Sequence, residues 1–150
     1  MNCALVAQGR NTSIVMEKSI NPIKKIVLAI IENEKHEILI AKRKLAVDQS
    51  CLWELPGGKI EKNETPFEAM QREVKEEVAL TVELAEHLLN FTHEYPDRTL
   101  LFDVFYVKTY EGQAIGAEGQ EIRWVSVENI NQYTFPLANQ KMAYLFNLVG

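Results

Sequence analysis

The sequence predicts an α+β domain with a mixed β-sheet lying between helices, and three observations carry that expectation. Apolar runs rich in β-branched and aromatic residues recur along the chain. A capped segment with helical apolar spacing interrupts them after Thr65, and a second helical segment closes the chain after Pro136. At 150 residues, 47% of them hydrophobic, the chain is long enough to bury a core as one domain without a disulfide or structural metal.

Residues 1–21 contain neither a basic start followed by an apolar run nor a sustained apolar stretch, so a secretory signal and a membrane span are both unsupported. They read as a loosely ordered N-terminal extension, with the domain spanning 22–150. Residues 24–33 and 37–43 are two β-rich runs joined by Glu34-Lys35-His36, the pattern of a hairpin. Trp53-Glu54-Leu55 precedes the turn Pro56-Gly57-Gly58. Thr65-Pro66-Phe67-Glu68 then forms a capping box with proline at the first helical position. Phe67, Met70, Val74 and Val78 follow at spacings of three and four, an apolar stripe for packing on a core.

Residues 80–95 are compatible with helix or strand by composition, although Asn90–Tyr95 before Pro96-Asp97 favours a strand ending in a turn. Residues 99–110 are a stronger strand, dense in aromatic and β-branched residues. Glu111–Gln120 contains Gly112, Gly116 and Gly119 and reads as a flexible loop. Residues 122–127 form another strand, and Met142, Leu145, Phe146 and Val149 give the terminal helix its face.

A formal net charge of −5 argues against nucleic acid or an anionic membrane as a partner, since both require broad basic surfaces. No basic stripe interleaved with aromatic residues appears. Cys3 and Cys51 form no CxxC and suit free thiols in a reducing cytoplasm. His36, His87 and His93 show no ligand spacing, which leaves zinc without support. A monomer is expected.

The chemistry lies on the internal helix. Glu73, Glu76 and Glu77 share one face at spacings of three and four. Like charges one turn apart cost a helix about 0.2 to 0.5 kcal/mol per pair. A helix rich in Glu, Lys and Arg is commonly only a solvated face. Here the glycine turn before it, a further acid at Glu64 and the adjoining Arg72 point instead to a divalent cation among the acids. Oxygen donors in an open arrangement suit Mg2+, with Mn2+ as the alternative.

The ordered pattern is Gly58, five residues, Glu64, seven residues, Arg72-Glu73, Val74, Lys75, Glu76-Glu77, Val78, Ala79, Leu80. It resembles the Nudix box, GX5EX7REUXEEXGU with U aliphatic, departing only at Ala79, which stands where the box has glycine. A left-handed helix exit at that position costs an L-residue about 1 to 2 kcal/mol, so the departure bears on the helix end and leaves every acid in place. WELPGGKIEKNETP, EYPDRTLLF, GAEGQEIRWVSV and TFPLAN follow in order across roughly residues 23 to 148. They resemble the MutT-like 8-oxo-dGTP diphosphatase branch of the Nudix hydrolases.

That resemblance implies an α/β/α Nudix-like sandwich carrying a metal-binding loop-helix-loop. It also implies hydrolysis of a nucleoside triphosphate to a monophosphate and pyrophosphate by water attack at the β-phosphorus. Glu76 and Glu77 are then the first candidates as metal ligands, with the Gly57 carbonyl. Glu73 follows as ligand or general base, and Arg72 orients the acids. Glu64 supports the loop or an additional metal. Glu118, in the glycine-rich loop, matches a family carboxylate outside the box, and spacing leaves open whether it or Glu73 is the base.

Arg43 and Lys59 are candidates for gripping phosphate, one by its fork and the other as a point charge. Asn139 has the donors and acceptor to pair with a purine edge, or else to cap the last helix. Leu55 offers backbone hydrogen bonds, and Asp97 and Arg98 stand where they would close over a base. Trp53 and Tyr95 are stacking candidates that also suit a core. Two other readings stay open: a pyrophosphatase for CTP or another nucleotide, and a non-catalytic nucleotide-binding module.

Overall fold

Strand β1 (Ile23–Ile31) is central because its second half, Val27–Ile31, is an unbroken apolar run buried on both faces. The computed structural model describes residues 22–43 and 52–135. In it β1 pairs in parallel with β6 (Arg98–Glu111) and antiparallel with β4 (Gly57–Lys59). The long β5 (Thr81–Tyr95) pairs antiparallel with β6 and completes a mixed sheet in the order β4-β1-β6-β5. A smaller antiparallel sheet holds β3 (Trp53–Glu54), β2 (Glu37–Lys42) and β7 (Ile122–Ser126), in that order, and a 3-10 helix follows at Val127–Gln132. The class is α+β with a mixed sheet, as expected.

The expected β1–β2 hairpin does not form as a paired ribbon. Its turn is present, but only Glu32 and Ile38 bridge, and the two strands go to different sheets. The reason is burial. Both edges of β1 are taken by β4 and β6, while β2 crosses over to place Ile38 and Ile40 with Leu28 and Ile30, and Leu39 with Val27, Ala29 and Ile31. The two core clusters therefore lie on opposite faces of β1.

Helix α1 (Pro66–Val78) packs on the second cluster through Ala69, Met70, Val74 and Val78, all with no exposed surface. Phe67 is only partly buried, set edge-on to Phe105 at 6.1 Å between ring centroids. Its start is the capping box: the Glu68 N–H donates to Thr65 Oγ1 at 3.1 Å and the Thr65 N–H to Glu68 Oε1 at 3.0 Å. Its exit is left-handed, with Ala79 at φ 65° and its N–H donating to the Lys75 carbonyl at 3.1 Å. An L-residue there is strained, and glycine adds unfolded-state entropy of its own. Ala79→Gly is therefore expected to raise stability by about 0.5 to 1 kcal/mol in urea melts; a loss would contradict this account of the helix exit.

Residues 81–95 form one strand, and its ambiguity in sequence has a cause. Register shifts fall between Val82 and Leu84, Leu84 and Ala85, and His87 and Leu89, so the period-two alternation is broken three times. No helix among the described residues is long and apolar enough to cross a membrane. The expected N-terminal extension, Cys3, Cys51, the terminal helix and Asn139 lie outside the described residues.

Candidate active site

Glu73 and Glu77 lie beside the buried stripe of α1, three residues on from Met70 and Val74, and face the β4 turn. Contact there is close: a Cβ on Gly58 would stand 2.4 Å from the Glu73 carboxyl carbon, so no larger residue fits without moving that acid. The Gly57 N–H donates to Glu77 Oε1 at 3.3 Å. The glycine turn and the acid helix are thus packed as one unit.

Arg72 ties the acids together. Its Nε donates to Glu64 Oε2 at 2.6 Å and its Nη2 to Glu64 Oε1 at 3.0 Å, a two-pronged pair. Nη1 reaches Glu73 Oε2 at 2.9 Å and Glu76 Oε1 at 3.3 Å, while Nη2 also donates to the Lys59 carbonyl at 2.9 Å. The loop carrying Glu64 and Lys59 is therefore fastened to the helix by one guanidinium. Glu64 additionally accepts from the Glu61 N–H at 2.8 Å, and the Arg72 hydrogen bonds hold its carboxyl below the usual range. Its partners are those of a loop support.

Glu77 is the perturbed group. Burial first, then the charges of Glu73, Glu54 and Glu118, push its carboxyl up to about 8 against the Gly57 hydrogen bond. Glu73 is raised too, mainly by burial, although Arg72 opposes the shift, and it lies within hydrogen-bonding reach of Glu77. Three carboxylates thus bear on Glu77, which is itself largely shielded from solvent. Between the ordinary carboxylate value of 4.5 and about 8, the folded chain keeps a proton that the unfolded chain releases. The resulting stability is complete below the lower value and lost as pH rises through the upper one. In chelator, the thermal midpoint is expected to fall by a few degrees from pH 6 to pH 8, and Mg2+ at pH 8 to restore it. A midpoint flat over that interval would contradict the burial of Glu77.

Glu118 sits in a loop that differs from the freely flexible one expected. The Ile115 N–H donates to the Val78 carbonyl at 3.1 Å and the Ala117 N–H to the Glu77 carbonyl at 2.9 Å. These carbonyls belong to the last turn of α1, which has no partners of its own for them. The helix end thereby brings the Glu118 charge to bear on Glu77.

Beside the acids opens a cavity of about 210 Å³ lined by Ile26, Leu28, Arg43, Glu54, Leu55, Gly57, Gly58, Lys59, Tyr95, Arg98, Leu100 and Phe102. Four of the predicted substrate residues, Arg43, Leu55, Lys59 and Arg98, meet here. Arg98 lies 4.3 Å over the Tyr95 ring, so Tyr95 is a wall of the cavity. Asp97 is not among the lining residues; it is exposed and pairs with Arg98 at 3.2 Å. Trp53 is core, buried against Tyr133 with ring centroids 5.4 Å apart. One residue was missed by spacing: Glu54, raised by burial against the opposing charge of Arg43 4.0 Å away. Its only sequence signal is its place one residue before Leu55 and the turn.

Among the described residues, no three carboxylate, histidine or cysteine side chains form a ready-made metal cage. His87 instead pairs with Asp103 at 2.7 Å, and His36 with Glu32 at 3.0 Å in the β1–β2 turn. What Glu73 and Glu77 offer is an open, oxygen-only donor set, in which Arg72 already pairs with Glu73 while Glu54 and Glu118 add like charge at Glu77. That chemistry fits a hard divalent cation completing its shell with water and phosphate oxygens.

Comparison with known proteins agrees with this geometry. The family model described as NUDIX domain matches residues 22–146. The chain is 38% identical to the 8-oxo-dGTP diphosphatase of Escherichia coli over 77% of this chain and 90% of that one. It is 34% identical to the CTP pyrophosphohydrolase of the same organism over 76% of this chain and 82% of that one. A solved MutT structure, from work on Aliivibrio salmonicida and Vibrio cholerae, superposes with a TM-score of 0.74 at 34% identity, covering 85% of this chain and 99% of that one.

Proposed function

The chain belongs to the NUDIX domain family, a Nudix hydrolase in fold and motif, and on that premise we propose that it is a nucleotide-pool sanitising pyrophosphohydrolase. Its substrate is 8-oxo-dGTP, with dGTP as a second, and its products are the nucleoside monophosphate and pyrophosphate. The observation that carries the reading is the junction of two features: the acid face of α1, crowded with like charge, opens beside a cavity edged by Arg43 and Lys59. A polyanion entering there meets cations at the rim and a cation site at the acids.

Glu73, Glu76 and Glu77 would hold Mg2+, with Glu118 and the Gly57 carbonyl completing the protein's donors. Bound there, the metal neutralises phosphate oxygens and lowers the cost of charge developing at phosphorus. Arg72 keeps the acids in place, and Arg43 and Lys59 grip the phosphate chain. Water attacks the β-phosphorus and gives its proton to Glu73 or Glu118. The bond from that phosphorus to the α–β bridging oxygen breaks, so the attacking oxygen leaves in pyrophosphate. Leu55, Tyr95 and Arg98 border the base, with Asn139 proposed for its polar edge. We further propose a monomer acting in the cytoplasm.

The relative named CTP pyrophosphohydrolase favours a second reading, a pyrimidine nucleotide in the same cavity. Turnover of 8-oxo-dGTP, dGTP, CTP and ADP-ribose at equal concentration separates the two. We expect kcat/KM to be highest for 8-oxo-dGTP by about tenfold or more, the effect of one good polar contact to the base. Preference for CTP would replace the first reading with the second, and silence on all four would leave a binding module.

A further inference from the structure

The last turn of α1 must find partners for its carbonyls, and the loop after β6 provides them in an unusual way. The Glu77 carbonyl accepts twice, from the Ala117 N–H at 2.9 Å and from Gln120 Nε2 at 2.8 Å. The other end of the same amide, Gln120 Oε1, accepts from the Glu118 N–H at 2.9 Å. One side-chain amide therefore joins the main chain of Glu77 to the main chain of Glu118. The loop is tight enough that a Cβ on Gly116 would stand 1.8 Å from the Gln120 carbonyl oxygen, which leaves only glycine there.

We propose that Gln120 is a positioning residue for hydrolysis, its amide setting Glu118 in register with Glu77 across the gap between the loop and the helix end. The inference rests on the functional reading above, because it concerns how the carboxylate outside the helix reaches that reading's reaction site. Three features distinguish this amide from an ordinary loop hydrogen bond. Both of its ends are used, each contacts the backbone of a candidate site acid, and backbone contacts set where a side chain starts without competing for its carboxylate. The Ile115 and Ala117 bonds hold the loop on the helix without Gln120. Loss of the amide is thus expected to misplace Glu118 and leave the fold intact.

The test is Gln120→Ala, with Gln120→Met keeping the bulk of the side chain should alanine disturb packing. Solvent exchange of the Glu118 amide proton, read by NMR without metal or substrate, is expected to quicken by about three- to tenfold, the worth of one hydrogen bond. With Mg2+ and a nucleoside triphosphate, kcat is expected to fall by about ten- to a hundredfold with KM unchanged, as misplacement near the reacting atoms produces. In a Glu118→Gln background the same substitution is expected to be silent, because its effect runs through Glu118. Unchanged exchange, unchanged kcat, or a full second loss in the Glu118→Gln background would each overturn the inference. A wild-type chain that turns over no nucleoside triphosphate overturns the functional reading itself; an active wild type with an indifferent Gln120→Ala overturns only this inference.

Discussion

Replacing Glu77 by glutamine is expected to lower kcat by about a thousandfold or more while raising the thermal midpoint of the metal-free chain. The two effects have opposite signs for one reason. Glu77 is the buried carboxylate whose proton is held to about 8, so its ionised form is unfavourable to the fold and useful only to a cation. Glutamine keeps the shape and an oxygen for the Gly57 N–H and removes the charge. Loss of the proposed metal ligand is expected to remove several kcal/mol of charge stabilisation in the transition state, and about 4 kcal/mol is a factor of a thousand. Metal titration by calorimetry would show weakened Mg2+ binding in parallel. A variant with wild-type turnover, or one destabilised without metal, would contradict the assignment.

Arg72→Ala is expected to damage both properties together. The guanidinium holds Glu64 with two bonds, touches Glu73 and Glu76, and clasps the Lys59 carbonyl, so its loss frees the loop and leaves partly buried acids facing one another. Removal of a residue that orients ligands typically costs about ten- to a hundredfold in activity or metal affinity. The thermal midpoint is expected to drop by several degrees. Arg72→Lys is expected to restore little, because one ammonium cannot span the directions that the planar fork serves. Full rescue by lysine would reduce Arg72 to a point charge and contradict the geometric role.

These effects concentrate where the sequence was most readable. The capping box at Thr65, the stripe through Val74 and the shared face of Glu73 and Glu77 are local, set by spacings of three and four within thirteen residues of helix. Ala79 is local too: a box position that wants glycine does sit at positive φ. The failures are non-local. A turn between two apolar runs says that the chain reverses, but not which sheet each strand joins. Val27–Ile31 is buried on both faces, which makes β1 central and puts its partners elsewhere than the next strand in sequence.

Glu54 shows the same limit within the site. In sequence it is one residue of a short strand; pairing opposite Ala41 places it beside Arg43 and within the field of Glu77. Glu118 was found only through resemblance, and hydrogen bonds from its own loop to the α1 carbonyls bring it near. Carboxylates distant in sequence thus become one site through strand pairing and helix-end chemistry. Neither leaves a period in the sequence.

Cleavage between the α- and β-phosphates, directed by the acid helix, is the reaction expected of this chain. It is tested most directly by incubating the chain with 8-oxo-dGTP and Mg2+ in 18O-labelled water and weighing the products. The expected products are unlabelled 8-oxo-dGMP and pyrophosphate carrying one labelled oxygen, both lost in Glu77→Gln. Release of orthophosphate, label in the monophosphate, or products unaffected by Glu77→Gln would contradict it.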